Sequence, residues 1–334
     1  MTSSEVTDKK GDFKMANIIT RTDAEALIPV ESSKEIIQAV QHESAVLQLM
    51  KKLPNMSSKQ TKMPIMSALP VAGFVNGDNG LKPVSSASWE NKFITAEEIA
   101  VIIPIPEAVL DDAEYDIWAE LKPSIISAFG KVIDGAILFS TEKPTSWPDG
   151  IATTAITKKK TVTYGTGIDT AEDISELMGL VEADGFDVTG FAAEIALKSS
   201  FRGLRDKNGG LIFAPSLQAD TPSTLYGQAI NYVKNGSWDS SKVKLIAGDW
   251  SQAVYAMRQD MTYKVLDQAV ISDASGKILY NLAQQDMVAL RCVMRLGWQL
   301  PNPVTQLNGT DTRYPFAALV PATDPAADTE HSGG

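Results

Sequence analysis

From Tyr115 to Ser140 the apolar residues fall in steps of three and four, at Trp118, Leu121, Ile125, Phe129, Val132, Ala136 and Phe139. That spacing predicts one amphipathic helix. A second row, Ile117, Ile126, Ile133 and Ile137, widens the stripe, so the helix is expected to be buried by more than one neighbour. At 1.5 Å per residue it would run about 40 Å. Pro123 removes a backbone donor near its start and should bend or break it. Asp134 sits inside the otherwise apolar turn Ile133-Asp134-Gly135-Ala136-Ile137. A carboxylate there must be paired, hydrogen-bonded or exposed at a subunit contact.

Upstream the period changes to two. Residues 59–103 read as a very long β-hairpin, with Thr61, Met63 and Ile65 on the outgoing arm and Phe93, Thr95, Glu97, Ile99, Val101 and Ile103 on the return. The tip Asn76-Gly77-Asp78-Asn79-Gly80 is a strong turn signal. Arms of roughly 15 residues at about 3.3 Å each would reach some 50 Å. An isolated two-stranded ribbon is marginal in water, and the middle of this one, with Leu69, Val71, Phe74 and Trp89, is too apolar to stay wet. It needs a partner surface, its own domain or another subunit. Phe74, Asn76, Gly77, Asp78, Asn79, Gly80 and Trp89, with Asp134, are the candidate subunit-contact residues.

Residues 1–31 are polar and aperiodic and read as a flexible arm. Ser32 with Glu35 makes a capping box, and Ile36, Ile37, Val40, Val46, Leu47 and Met50 outline a helix to about Lys52, stopped by Pro54. Beyond the long helix, Thr170 with Asp173 caps a helix through Asp184, with Gly185 as its stop. Phe191–Ala196 reads as a strand, Leu197–Arg205 as a short helix and Val243–Ala247 as a buried strand. Gly248-Asp249-Trp250-Ser251 leads into a predicted helix through Gln259, followed by a strand over Thr262–Ser272. Met287–Leu300 is a long strand, Phe316–Val320 a short one, and 323–334 a small, polar tail expected to be disordered. The alternation within 165–285 suggests an α/β module inserted between the long helix and the C-terminal strands.

Composition narrows the function by exclusion. The chain has 334 residues, 44% of them apolar, enough for a real core. Its net charge of −11 excludes a general nucleic-acid binder, although an acidic wall can still enclose DNA without adhering to it. A single cysteine, Cys292, excludes an intrachain disulfide and a thiolate metal cluster, and its apolar surroundings make it a buried hydrophobe. His42 and His331 offer no triad or metal site, and no phosphate-binding glycine loop or nucleophile elbow occurs. Asp111, Asp112, Glu114 and Asp116 are read as charges complementing a helix N-terminus. Glu97 and Glu98, adjacent on a strand, face opposite sides. Lys158–Lys160 is read as a solvated basic loop. With no signal segment and no membrane-length apolar run, the expectation is a protein made and folded in a reducing cytosol, with no cofactor and no metal.

The order of these parts resembles the major capsid protein family of tailed phages, the Hong Kong 97 fold. The resemblance is carried by Pro104-Ile105-Pro106-Glu107 before Leu110-Asp111-Asp112-Ala113, by Ile133-Asp134-Gly135-Ala136-Ile137, and by Pro148-Asp149-Gly150-Ile151. It continues in Leu225-Tyr226-Gly227, Gly248-Asp249-Trp250, and Arg295-Leu296-Gly297-Trp298 with Pro303. It implies an α+β fold with an N-terminal arm (1–52), an extended-loop hairpin (53–103), a peripheral domain with its spine helix (104–149), an inserted axial domain (150–285), closing strands of the peripheral domain (286–322) and a tail (323–334).

By the same resemblance, hexamers and pentamers would tile an icosahedral shell around a double-stranded DNA genome. The partners implied are the chain itself, a portal protein, a separate scaffolding protein and the enclosed DNA, with no membrane. The implied location is the virion capsid, assembled in the bacterial host cytoplasm. The expectation is that the sequence leaves no room for a built-in scaffolding segment, implying either a separate scaffold or a processed form. Some members cross-link a loop lysine to a neighbour's asparagine; Lys82, Lys92, Asn302 and Asn308 are in the corresponding regions, but nothing marks a reactive pair. A bacterial nanocompartment shell and a carboxylate-dependent hydrolase are the alternatives.

Overall fold

The computed structural model describes Val40 and residues 43–74, 84–112, 117–203, 224–273 and 275–322. The predicted arm 1–31, the capping box, the hairpin tip Asn76–Gly80, the histidines and the tail lie outside the described residues.

The predicted long helix is α3 (Ile117–Phe139), preceded by α1 (Ala45–Leu49) and α2 (Glu107–Asp112). With 23 residues α3 spans about 35 Å. It runs through Pro123 without ending there. Ile125, Phe129, Ile133, Ala136, Ile137 and Phe139 are buried as the stripe requires. Val132 is not, because it lies at the stripe's edge and remains 45% exposed. Leu138, outside both rows, is fully buried. The C-terminal end of α3 is enclosed on all sides, partly by α4 (Ile151–Thr157).

Two sheets flank this helix. The four-stranded sheet has the order β1 (Lys51–Lys52), β10 (Val254–Leu266), β13 (Met287–Gln299), β4 (Glu97–Pro106). Strand β13 runs antiparallel to its two neighbours β10 and β4, and β1 runs parallel to β10. Alternate residues of β13 (Leu290, Cys292, Met294, Leu296 and Trp298) share a core cluster with α3.

The six-stranded sheet has the order β5 (Thr161–Thr163), β14 (Phe316–Val320), β9 (Leu245–Gly248), β6 (Gly190–Glu194), β8 (Gln228–Val233), β7 (Thr224–Leu225). Its two faces are both covered. Ala192, Ile246, Phe316 and Ala318 join the α3 cluster, while Phe191, Leu245, Ala247 and Leu319 pack with α5 (Thr170–Glu182) and α6 (Leu197–Gly203). Two-sided burial explains the uninterrupted apolar runs in these strands. The close approach of β9 to β14 requires Gly248: a Cβ there would lie 2.2 Å from Phe316 Cδ1 and 2.5 Å from the Pro315 carbonyl.

Several expectations need correction. The helix expected through Gln259 is strand β10, entered by a single 3-10 turn at Trp250–Gln252 that Asp249 caps. Flanked by β1 and β13 and buried on both faces, Ala253–Met257 shows no strand period to read. Phe316–Val320 is a strand, but it pairs with β9 and β5 in the six-stranded sheet and not with the other closing strand β13. The helix expected up to Lys52 breaks at Ser44, which caps α1 through its hydroxyl, and leaves helix at Met50. Asp169, not Thr170, caps α5.

The returning arm of the hairpin divides at Ala96. β2 (Gln60–Ala68) pairs with β3 (Ser88–Thr95), while β4 joins the four-stranded sheet. The ladder is therefore 8–9 residues per arm and shorter than expected. The predicted strand over Thr262–Ser272 also divides. It ends at Leu266, and β11 (Val270–Ser272) with β12 (Ile278–Asn281) forms a small hairpin of its own.

Candidate subunit-contact surfaces

The base of the large hairpin is fixed to the body. Ile94 is buried with Met56, Ala96, Val254 and Ala256. Gln299 Nε2 donates to the Phe93 carbonyl at 2.9 Å, and Trp147 Nε1 to the Thr95 carbonyl at 3.1 Å. Gly297 makes room for this junction, since a Cβ there would lie 2.6 Å from the Thr95 carbonyl oxygen. Lys92 Nζ donates to the Leu300 carbonyl at 3.2 Å, and burial pushes its ammonium down, with Glu90 pulling the other way.

Beyond Met66, whose carbonyl accepts from Val304 N at 3.5 Å, the ribbon lies open among the described residues. The ladder ends at the Ala68–Ser88 pair. Beyond it the arms part around a shallow cleft of about 480 Å³, lined in part by Leu69, Val71 and Val84 and bridged where Val71 N donates to Ser85 Oγ at 2.7 Å. Val71 is 73% exposed and Trp89 64%; Phe74 and Val84 are fully exposed. Of the candidate contact residues, Phe74 and Trp89 thus lie on this open surface, and Asn76, Gly77, Asp78, Asn79 and Gly80 lie outside the described residues. The β11–β12 hairpin is a second such surface, with Val270, Ile278, Leu279 and Tyr280 exposed. It was missed in the sequence, although Asp273-Ala274-Ser275-Gly276 carries the turn signal; Asp273 Oδ1 accepts from Ser275 N, Ser275 Oγ and Lys277 N.

Asp134 lies elsewhere. It is fully buried inside the subunit, not at its surface. Oδ1 accepts from Ser44 Oγ at 2.5 Å; Oδ2 accepts from Asn235 Nδ2 at 2.7 Å and from Ala45 N at 3.3 Å. The contact between chain segments 90 residues apart was not legible in either.

A second polar cluster forms around Asp184. Its carboxylate accepts from Lys160 Nζ at 2.6 Å, Asn308 Nδ2 at 2.7 Å and Tyr314 N at 2.9 Å. Desolvation pushes this carboxyl up, but the Lys160, Asn308 and Tyr314 hydrogen bonds together outweigh it and hold the group below the usual aspartate range. Lys158 Nζ caps the carbonyls of Asp311 and Arg313, while the buried Arg313 binds the carbonyls of Asn302, Pro303 and Thr310. Lys158 directly and Lys160 through Asp184 therefore fasten the 300–314 loop, and of the expected solvated basic loop only Lys159 is exposed. Asn302 donates to the Arg313 carbonyl and Asn308 to Asp184, so these two and Lys92 are engaged within their own subunit.

Removing the Lys160 ammonium leaves a desolvated carboxylate with two hydrogen bonds. Lys160→Ala is expected to lower stability by about 2–3 kcal/mol at neutral pH, read by urea denaturation. A folded pKa held below the unfolded value adds stability above about pH 4 that disappears as the carboxylate is protonated at lower pH. The wild-type advantage over the variant should therefore shrink on acidification.

Cys292 is buried on β13, and burial pushes its thiol up to about 12, the opposite of an activated nucleophile. Among the described residues no group of three or more acidic, histidine or cysteine side chains is placed to hold a metal.

Comparison with known proteins gives one consistent result. The family model described as the Phage capsid family matches residues 24–304. The major capsid protein of Staphylococcus phage 80alpha is 26% identical over 313 residues, which is 93% of this chain and 90% of that protein. A solved structure from Microbacterium phage Oxtober96 superposes with a TM-score of 0.73 at 38% identity, covering 91% of this chain and 99% of that one. A structure from Mycobacterium phage Cain gives 0.73 at 29% identity, with 92% and 99% covered.

Proposed function

We propose that this chain, which belongs to the phage capsid family, is the repeating tile of an icosahedral shell, assembling as hexamers and pentamers around double-stranded DNA. It is a structural protein and not an enzyme, as its family and relatives are. The observation that carries the finer reading is the open apolar surface of the β2–β3 hairpin, which the described residues of its own subunit leave exposed. In a shell, each hairpin lies across a neighbouring copy and loses that exposure. Contacts of about 1,600 Å² are a standard interface size, and repetition over many copies supplies the remaining stability.

The parts then take these roles. Residues 1–52 form the arm, β2 and β3 the extended loop, and α3 the spine, on which the four-stranded sheet builds the peripheral domain. The six-stranded sheet with α5 and α6 is the axial domain, and it includes β14 from the end of the chain. A separate scaffolding protein, a portal protein and DNA held without sequence specificity are the further partners, and the virion, assembled in the bacterial cytoplasm, is the location.

The test is negative-stain microscopy of the expressed protein, alone and with a co-expressed scaffolding protein. Closed shells of uniform size are expected in at least one of the two. A chain that stays monomeric at high concentration in both would overturn the reading.

A further inference from the structure

Three elements that are distant in sequence meet at Asp134. The start of α1 brings its cap Ser44 and first residue Ala45, α3 brings the carboxylate, and the turn after β8 brings Asn235, itself held by Ser237 N and Oγ at 3.2 and 2.7 Å. Ser44 Oγ serves two purposes: it donates to Asp134 and accepts from Leu47 N at 3.0 Å, the capping bond of α1. Capping of α1 and its attachment to the spine thus pass through one hydroxyl.

Among the described residues every hydrogen bond to the carboxylate comes from a neutral group. The charged side chains around it are engaged elsewhere or make no ion pair with it. Glu43, on the incoming segment, accepts from Ser127 Oγ of α3 at 3.3 Å. Lys131 of α3 reaches towards Gly236. Lys234 stands at the end of β8, and Asp239 pairs with Lys242 at 2.8 Å beyond the turn. None of the ion pairs among the described residues includes Asp134.

We propose that Asp134 is a proton-operated latch: it holds the Ser44–Ala45 segment against the spine helix and the Asn235 turn, and taking up a proton tightens that hold. An ionised carboxylate sealed away from water without a cation gains hydration when the segment lifts, so opening is easiest when it is charged. A neutral acid gains far less. The proton has a place to go: on Oδ1 it can donate to Ser44 Oγ, whose hydroxyl turns from donor to acceptor with one lone pair still free. Burial pushes Asp134 up to about 6, against the hydrogen bonds from Ser44, Asn235 and the backbone of Val46 and Ala45. A latched-state pKa above the open-state value means that the hold is strongest in acid and weakens as pH rises through about 6.

The experiment is hydrogen exchange with mass spectrometry on the full chain, following peptides over Ser44–Met50 and corrected for the intrinsic pH dependence of exchange. Protection there is expected to be about tenfold greater near pH 5 than near pH 7.5. Asp134→Asn should abolish the difference. His42→Gln should keep it, which separates Asp134 from the histidine two residues before Ser44. Ser44→Ala removes a hydrogen bond to the charged form, so its transition should move to higher pH even though loss of the cap lowers protection throughout. A pH response that survives in Asp134→Asn, disappears in His42→Gln or keeps its midpoint in Ser44→Ala would overturn the proposal, as would a wild-type response that is absent or reversed.

Discussion

Phe129→Asp is expected to leave no folded subunit, whereas Val132→Asp, on the next turn of the same helix, is expected to melt almost as the wild type does. Phe129 is 2% exposed and belongs to the cluster that joins α3 to both sheets. Losing the ring costs about 3–5 kcal/mol, and burying a polar group without partners adds roughly 2–7 kcal/mol. Together these come to about 5–12 kcal/mol, comparable with the whole stability of a typical domain, about 5–15 kcal/mol. Val132 can place the same carboxylate in water, and valine and aspartate differ little in helix propensity, so the change there should stay within about 0.5–1 kcal/mol. Soluble yield and urea denaturation of the two variants provide the measurement. Similar losses in both would mean that the helix is enclosed along its whole length; similar tolerance would place the stripe in solvent.

That contrast also marks how far the sequence could be read. The period of 3.6 in α3 survives over residues 121–132, where the helix is buried mainly on one side, so the pattern records the packing. At the start of β10 both faces are covered, and Ala253–Met257 therefore has no period that distinguishes strand from helix. Phe316–Val320 was recognisable as a strand, but its choice of β9 over β13 depends on contacts that no local pattern encodes. The polar clusters were the least legible. Ser44 bonds Asp134 across 90 residues and Lys160 reaches Asp184 from another loop, so each residue alone looks like an ordinary cap or a solvated charge. The apolar ribbon was legible for the opposite reason: Val71, Phe74 and Trp89 stay exposed among the described residues, and the sequence shows them as apolar residues on a hairpin too narrow to bury them.

The same residues give the second large effect, which falls on assembly and leaves folding alone. A subunit carrying Phe74→Asp with Trp89→Asp is expected to fold normally and to form no shells. Phe74 is fully exposed and Trp89 is 64% exposed, so neither contributes much to the monomer. Trp89 pairs with Met66 in the β2–β3 ladder, and losing its strand preference should cost no more than about 1 kcal/mol. In a contact between copies the balance reverses. Burying two aromatic side chains contributes about 3–6 kcal/mol, and the aspartates replace that gain with the cost of desolvating two charges. A loss of even 4 kcal/mol per contact weakens each by roughly a thousandfold. Every tile would carry the same defect, so it multiplies around the shell. Sedimentation velocity with negative-stain microscopy reads the assembly, and thermal melting of the dispersed subunit reads the fold. Shells at the wild-type concentration would remove the hairpin surface from the contact. A subunit that fails to fold would place that surface in the core, where exposure of this size has no explanation.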